Sequence, residues 1–148
     1  MAIEYFHLHE SDIDMVNQLT ELEDAVHGAH GFAKFDVYSY MRYGRVYAAV
    51  EYDELLGAAY FLRDFDNPGR AFLYGIIIAP EETGKGLGEA LLMSAFGDLK
   101  ESGLRMIEVV VHPSNAKALQ VYKDTLGMNV ISTPEEDGEE YVVLRRTL

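Results

Sequence analysis

The 148-residue sequence has no cysteine, which excludes a disulfide framework, a thiolate metal ligand and a cysteine nucleophile. It is also poor in cations, with 12 Lys and Arg against 25 Asp and Glu and a formal net charge of -13. Nucleic-acid affinity comes mainly from cationic side chains that displace counterions, so no nucleic-acid partner is expected. A negative field attracts cationic partners such as amines, and it also keeps a protein in solution. No apolar run is long enough to span a bilayer, and "MAIEYFHLHE" has no basic flank followed by an apolar stretch. Neither a membrane partner nor a signal peptide is expected, and the expected location is cytoplasmic. Internal repeats, low-complexity tracts and Pro/Ser-rich linkers are missing as well, so residues 1–148 read as a single domain.

What is present is an ordinary globular composition, 49% apolar and 25% charged. Ile13, Val16, Leu19, Leu22 and Val26 recur at helical spacing behind Ser11, which with Asp14 suggests a capping box, and Gly28 and Gly31 end the helix. "FDVYSYMRY" fits either a short aromatic helix or a loop. "RVYAAVEY" and "LLGAAYFLRDF" read as a hairpin joined across Asp53 and Glu54. Ala71 to Ala79 is a nearly continuous apolar run, as for a strand buried on both faces, and Gly75 within it suggests a bulge. A helix from about Leu87 closes at "ESGLR", "MIEVVV" is a further buried strand, and a shorter helix opens at Ser114 and Asn115 and ends at Gly127. The tail reads as two strands joined by a polar turn. The sum is an α/β domain of the α+β type, a mixed and mostly antiparallel sheet flanked by helices, with one central βαβ unit.

The segment "IIIAPEETGKGLGEALL" places Gly84, Gly86 and Gly88 between a strand and a helix, the context in which backbone N–H groups hold a phosphate. It is not a Walker A loop, because Ala79 replaces the first glycine and Gly86 replaces the magnesium-binding hydroxyl. A Rossmann fingerprint fails at Glu89, where its third glycine belongs, and at Glu108, which sits mid-strand instead of at a strand end.

"TGKGLG", Thr83 to Gly88, following "IIIAP", resembles the Arg/Gln-x-x-Gly-x-Gly/Ala signature of the GCN5-related N-acetyltransferase (GNAT) family. Asn115, Ala118, Tyr122 and the Gly127–Met128 pair resemble that family's second segment, in the same order and spacing. The resemblance covers Ala71 to about Ile131. It implies the acyl-CoA N-acyltransferase fold, with splayed fourth and fifth strands, and acetyl-CoA as co-substrate without a metal. The pyrophosphate would lie on the backbone amides of Thr83, Gly84, Lys85, Gly86, Leu87, Gly88 and Glu89, and the pantetheine would pair with Ile76, Ile77 and Ile78. Asn115 matches a position that bonds the pantetheine or the adjacent chain. Tyr122 matches the general acid for the departing thiolate, a role that suits a phenol with an ordinary pKa of about 10. The implied reaction is direct attack by an amine in a ternary complex, which agrees with the missing cysteines.

Two positions depart from the family pattern. Thr83 stands where Arg or Gln is preferred, and Tyr74 stands near the position many members give to a catalytic Glu. The base is therefore sought on the fifth strand, where Glu108 and His112 alternate onto one face, with Glu108 the named candidate. His7 with His9, and His27 with His30, offer pairs of ligands without a third, so no metal site is expected. Tyr38, Tyr40 and Tyr43 are the expected acceptor contacts, suited to a small cationic amine through cation–π attraction. A peptide N-terminus or lysine as acceptor, and a regulatory CoA-binding domain without catalysis, remain alternatives. Pairing of the final strand with a second copy would give a homodimer.

Overall fold

The structure, a computed structural model, describes residues 2–148. Its apolar runs assemble into one seven-stranded sheet in the order β1-β2-β3-β4-β5-β9-β6. The strands are β1 (Glu4–His7), β2 (Gly44–Glu51), β3 (Glu54–Arg63), β4 (Arg70–Ile78), β5 (Met106–Val111), β6 (Asn129–Ser132) and β9 (Val142–Thr147). A two-stranded ribbon, β7 (Glu135–Glu136) with β8 (Glu139–Glu140), stands between β6 and β9. All sheet neighbours run antiparallel except β4 and β5, which are joined by the helix α3 (Leu87–Glu101). A parallel pair needs such a crossover, which is why the βαβ unit lies at the centre of the order.

Two apolar layers cover the sheet. On one face α1 (Ile13–His27) and α2 (Lys34–Tyr43) bury Val16, Leu19 and Val37 against Val46, Ala48, Ala58 and Tyr60. On the other, α3 buries Leu91, Leu92, Ala95 and Phe96 against Tyr47, Phe61, Leu73 and Ile107. Leu91 is fully buried, so truncation to alanine there costs about 2–5 kcal/mol.

Several expectations shift in detail. "FDVYSYMRY" is helical, within α2. The N-cap of α1 is Asp12 and not Ser11; the Asp12 carboxylate accepts the His9 N–H at 2.8 Å, and no capping box forms. The β2–β3 turn falls one residue earlier, on Tyr52 and Asp53, both at positive φ, which is the twist a two-residue hairpin requires. β5 is buried on one face only: Ile107, Val109 and Val111 point inward while Val110 is exposed. The tail contributes four strands, and its final strand β9 is interior, paired on both sides by β5 and β6. The homodimer expectation therefore loses the strand it was built on, because the edges of the sheet are β1 and β6.

The feature that positions the site is in β4. β4 and β5 pair only from Arg70↔Met106 to Phe72↔Glu108 and then part, so the β4 edge from Leu73 onward has no β5 partner. Opposite β3, Tyr60 pairs with Gly75 and Phe61 with Leu73, so Tyr74 is an inserted bulge residue beside the expected Gly75. A bulge changes the side-chain phase of a strand. Leu73, Ile76 and Ile78 consequently pack on the α3 face, and Ile77 turns to the α1 face. Leu73 and Ile77 are thus buried on opposite faces of β4, while Tyr74 at the bulge is half exposed.

Candidate active site

The glycine turn lies directly beyond β4. Gly84 and Gly86 both have φ of +79°, a region that costs a residue with a Cβ about 1–2 kcal/mol, so glycine here is a backbone requirement. Gly86 is the N-terminal boundary residue of α3, which has no side-chain cap. The first bond from inside that helix is Ala90 N–H to Gly86 O at 3.1 Å, leaving the N–H groups of Leu87, Gly88 and Glu89 without intrahelical acceptors. Donors in that state, at the positive end of a 15-residue helix, form a cradle for an anion. Thr83 is held by its hydroxyl, which donates to Pro80 O at 2.7 Å, and Lys85 pairs with Glu82 at 3.3 Å.

A cavity of about 220 Å³ runs from this turn into the gap between β4 and β5, lined by Ile76, Gly88, Leu92, Asn115, Ala118 and Tyr122. Asn115 is the N-cap of α4 (Ala116–Gln120): its side-chain carbonyl accepts the Ala118 N–H at 3.2 Å, which leaves the amide NH₂ as its free donor group. α4 widens into a single π turn at Val121–Thr125, and Tyr122 lies in it. Such turns mark functional sites more often than chance. Burial holds the Tyr122 phenol above its ordinary pKa. The structure thus brings Ile76, Gly88, Glu89, Asn115 and Tyr122 to one cleft, with Ile78 beside Gly88, while Thr83, Gly84, Lys85, Gly86 and Leu87 precede Gly88 outside the lining of the cleft. It leaves Ile77 on the other face.

Glu108 is not part of this gathering. It sits in the half of β5 that still pairs with β4, and Arg145 grips its carboxylate at 2.6 and 2.9 Å, with Arg70 at 3.4 Å. It faces a different cavity, shared with Asp64, Arg70 and Phe72. Hydrogen bonds from Arg70, then from the backbone of Asp66 and Asn67, hold the Asp64 carboxyl below its ordinary pKa. A carboxylate fixed by two guanidinium groups is a structural tie. His112 ends in a local pair with Ser114 at 2.7 Å and lies 3.5 Å from Glu139.

On the α1 face of β4 lies a second cavity of about 180 Å³, lined by Gly75 and Ile76 of that strand and by Glu23, His27, His30, Phe32 and Tyr60. Ile76 lines both cavities, so one residue separates them. Glu23 is only 3% exposed; it accepts the Tyr60 hydroxyl at 2.8 Å and the Phe32 N–H at 3.1 Å. Burial, then the negative charge of Glu23, raises the Tyr60 pKa far above its ordinary range. Phe32, Tyr40, Tyr60 and Tyr74 form an aromatic cluster with centroids 4.8–6.0 Å apart. Of the tyrosines expected at the acceptor, Tyr40 joins this cluster, Tyr38 packs in the α1 layer, and Tyr43 lines a separate cavity. Glu23 and Tyr60 carry a signal that sequence reading passed over. Val16, Leu19 and Glu23 share one helical stripe, and a carboxylate in an apolar stripe is out of pattern unless it has work there.

The largest cavity, about 480 Å³, lies at the opposite end of the sheet among His7, His9, Arg42, Arg45, Phe61 and Leu104. Size alone favours it, but the smaller cleft is the one bordered by the parted β4 at Ile76 and by Gly88 and Glu89, whose N–H groups lack intrahelical acceptors. Among the described residues, no three His, Asp or Glu side chains gather as a metal site, and no helix is long and apolar enough to cross a membrane.

A model of the acetyltransferase (GNAT) family matches residues 13–128. The chain belongs to that family. Mycothiol acetyltransferase from Actinosynnema mirum is 34% identical over 70 residues, 47% of this chain and 23% of that protein. The chain spans less than a quarter of the length of the curated relatives it matches. Among solved structures, the ribosomal-protein-S18-alanine N-acetyltransferase from Escherichia coli superposes with a TM-score of 0.76 at 22% identity, covering 99% of this chain and 94% of that one. A Bacillus subtilis acetyltransferase in complex with CoA gives a TM-score of 0.75 at 20% identity, with 99% of each chain covered. At these identities the likeness establishes the fold.

Proposed function

We propose that this GNAT-family chain transfers an acetyl group from acetyl-CoA to a small cationic amine. The observation that carries the reading is the unpaired edge of β4 beyond Phe72, with the glycine turn at one end of the gap and Tyr122 at the other. These parts fit acetyl-CoA on their own chemistry. The free N–H groups of Leu87, Gly88 and Glu89 suit a pyrophosphate, and Ile76 to Ile78 present a strand edge to an amide-bearing arm. Asn115 has an NH₂ free for that arm, while Thr83, Gly84, Lys85 and Gly86 shape the turn.

Acetyl-CoA supplies an activated acyl thioester. A neutral amine forms the new C–N bond as the C–S bond breaks, and the amine's surplus proton passes to water. Tyr122, kept protonated by burial, donates its proton to the departing thiolate and recovers one from solvent. The β4 backbone beside the bulge is the group placed to bond the carbonyl oxygen as charge develops on it. Glu108 is assigned to the fold and not to the base, because Arg145 and Arg70 hold its carboxylate. The second cavity admits the acceptor from the far side of Ile76, and its 180 Å³ and aromatic walls suit a small amine. The test is CoA release, read with a thiol reagent, from protein saturated with acetyl-CoA and offered a panel of small amines. Release with at least one amine supports the reading; CoA binding with no release from small amines or basic peptides refutes it.

A further inference from the structure

Glu23 is a buried carboxylate with no Lys, Arg or His in salt-bridge contact among the described residues; His27 and His30 line the same cavity without reaching it. Burying a charge without a counter-charge is expensive, and two hydrogen bonds offset only part of that cost. A carboxylate has about four lone-pair sites, and the Tyr60 hydroxyl and Phe32 N–H fill two. Glu23 lines the cavity together with Gly75, Ile76, His27 and His30. Phe32 and Tyr60 stand edge to face at 4.8 Å in its wall, and Tyr40 and Tyr74 pack against Phe32 outside the lining. A carboxylate floor with aromatic walls is a receptor for a cation.

The ammonium held at Glu23 cannot be the nitrogen that reacts. An opposite charge in a poorly solvated place favours the protonated amine, whereas the nucleophile must be the free base. The geometry separates the two ends. Tyr60 is the register partner of Gly75, and its ring projects from that point to Glu23, so Glu23 lies about one tyrosine side chain away from β4. Ile76, at the β4 end, also borders the cleft of Tyr122.

We propose that Glu23 is a specificity-determining residue that anchors a second positive charge on the acceptor, so that the site selects diamines, or amines with a further cationic group, over monoamines. This rests on the acetyl-transfer reading above and names its substrate class.

The experiment compares kcat/KM for acetyl transfer to 1,4-diaminobutane and to butylamine by the wild-type chain and Glu23→Gln, with CoA binding to each measured by calorimetry. Glutamine keeps the shape and an oxygen for the Phe32 N–H, so the loop is retained while the charge is lost. With its reacting nitrogen at β4, butylamine has no charge left for Glu23, so the wild type is expected to favour the diamine by at least about 10-fold, the worth of one hydrogen bond to a charged group. Glu23→Gln should bring the diamine down to the butylamine level and leave butylamine turnover unchanged. A wild type that does not discriminate, including one that acetylates neither amine while acetylating others, overturns the proposal. So does a variant that slows both amines equally, the mark of a structural role alone. Failure of CoA to bind, or of transfer to any amine, would instead strike the acetyl-transfer reading on which the proposal rests.

Discussion

Gly88→Ala separates the two demands made on the start of α3. Gly88 is inside the helix and needs no positive φ, unlike Gly84 and Gly86. A Cβ added there would lie 3.6 Å from Ile76 Cδ1 and 3.9 Å from Ile78 Cδ1, which is ordinary contact and not a clash. The fold should therefore tolerate the methyl and gain from it. Glycine in a helix costs roughly 0.5–1 kcal/mol relative to alanine, and near the first turn the lower end applies. The same methyl enters the cavity where the cofactor backbone has to approach the N–H groups of Leu87 to Glu89. Losing one charge-assisted bond of about 1.5–3 kcal/mol weakens acetyl-CoA roughly 10- to 150-fold. The expected outcome is opposite signs: a thermal midpoint equal to or above wild type, and a Kd for CoA raised by at least about tenfold in calorimetry. A Gly88→Ala protein that binds CoA like the wild type would refute the idea that the ligand closes on this turn.

Tyr122→Phe should lower kcat by about 10²–10⁴ while leaving CoA affinity unchanged, as expected for a lost proton donor. Because burial raises the Tyr122 pKa above its ordinary value near 10, its acid form survives past pH 10 and is lost only as pH rises through the raised value. The wild-type kcat profile should therefore fall at a pH above that ordinary value, and the fall should vanish in the phenylalanine variant. Glu108→Gln should cost about 1–3 kcal/mol in denaturant unfolding, because it leaves Arg145 and Arg70 facing an uncharged amide, yet keep kcat. A kcat collapse in a folded Glu108→Gln protein would restore Glu108 as the base. Gly86→Ala, forced to φ of +79° with nothing nearer to its Cβ than Glu89 Oε2 at 4.0 Å, should lose about 1–2 kcal/mol of stability from backbone strain alone.

The parts of the site that sequence makes legible are the local ones. Glycines at positive φ before a helix form one short segment, and an Asn that caps the next helix with a Tyr two turns later forms another; within each the spacing survives in the one-dimensional pattern. The parts that were not legible depend on contacts between distant segments. Glu108 looked available because nothing in "MIEVVV" shows that Arg145, 37 residues on, lies across from it in β9. The bulge at Tyr74 was placed one residue late because glycine marks where a backbone bends easily, whereas the inserted residue is fixed by the register with β3. The final strand looked like an edge because the chain ends there, and only the insertion of β9 between β5 and β6 shows otherwise. Glu23 was hidden by its own helix: its stripe was read from Val16 and Leu19, and its partners Phe32 and Tyr60 lie 9 and 37 residues away.

The measurement that tests the central claim most directly is an amide NMR titration of the ¹⁵N-labelled protein with CoA, because it tells the cleft beside β4 from the larger cavity at the other end of the sheet. Saturable shifts are expected at Gly84 to Glu89, Ile76 to Ile78, and Asn115 to Tyr122, with the far cavity around His7, Arg45 and Ser102 unmoved. Shifts centred on His7, Arg45 and Ser102, or none anywhere, would contradict a cofactor site between β4 and β5.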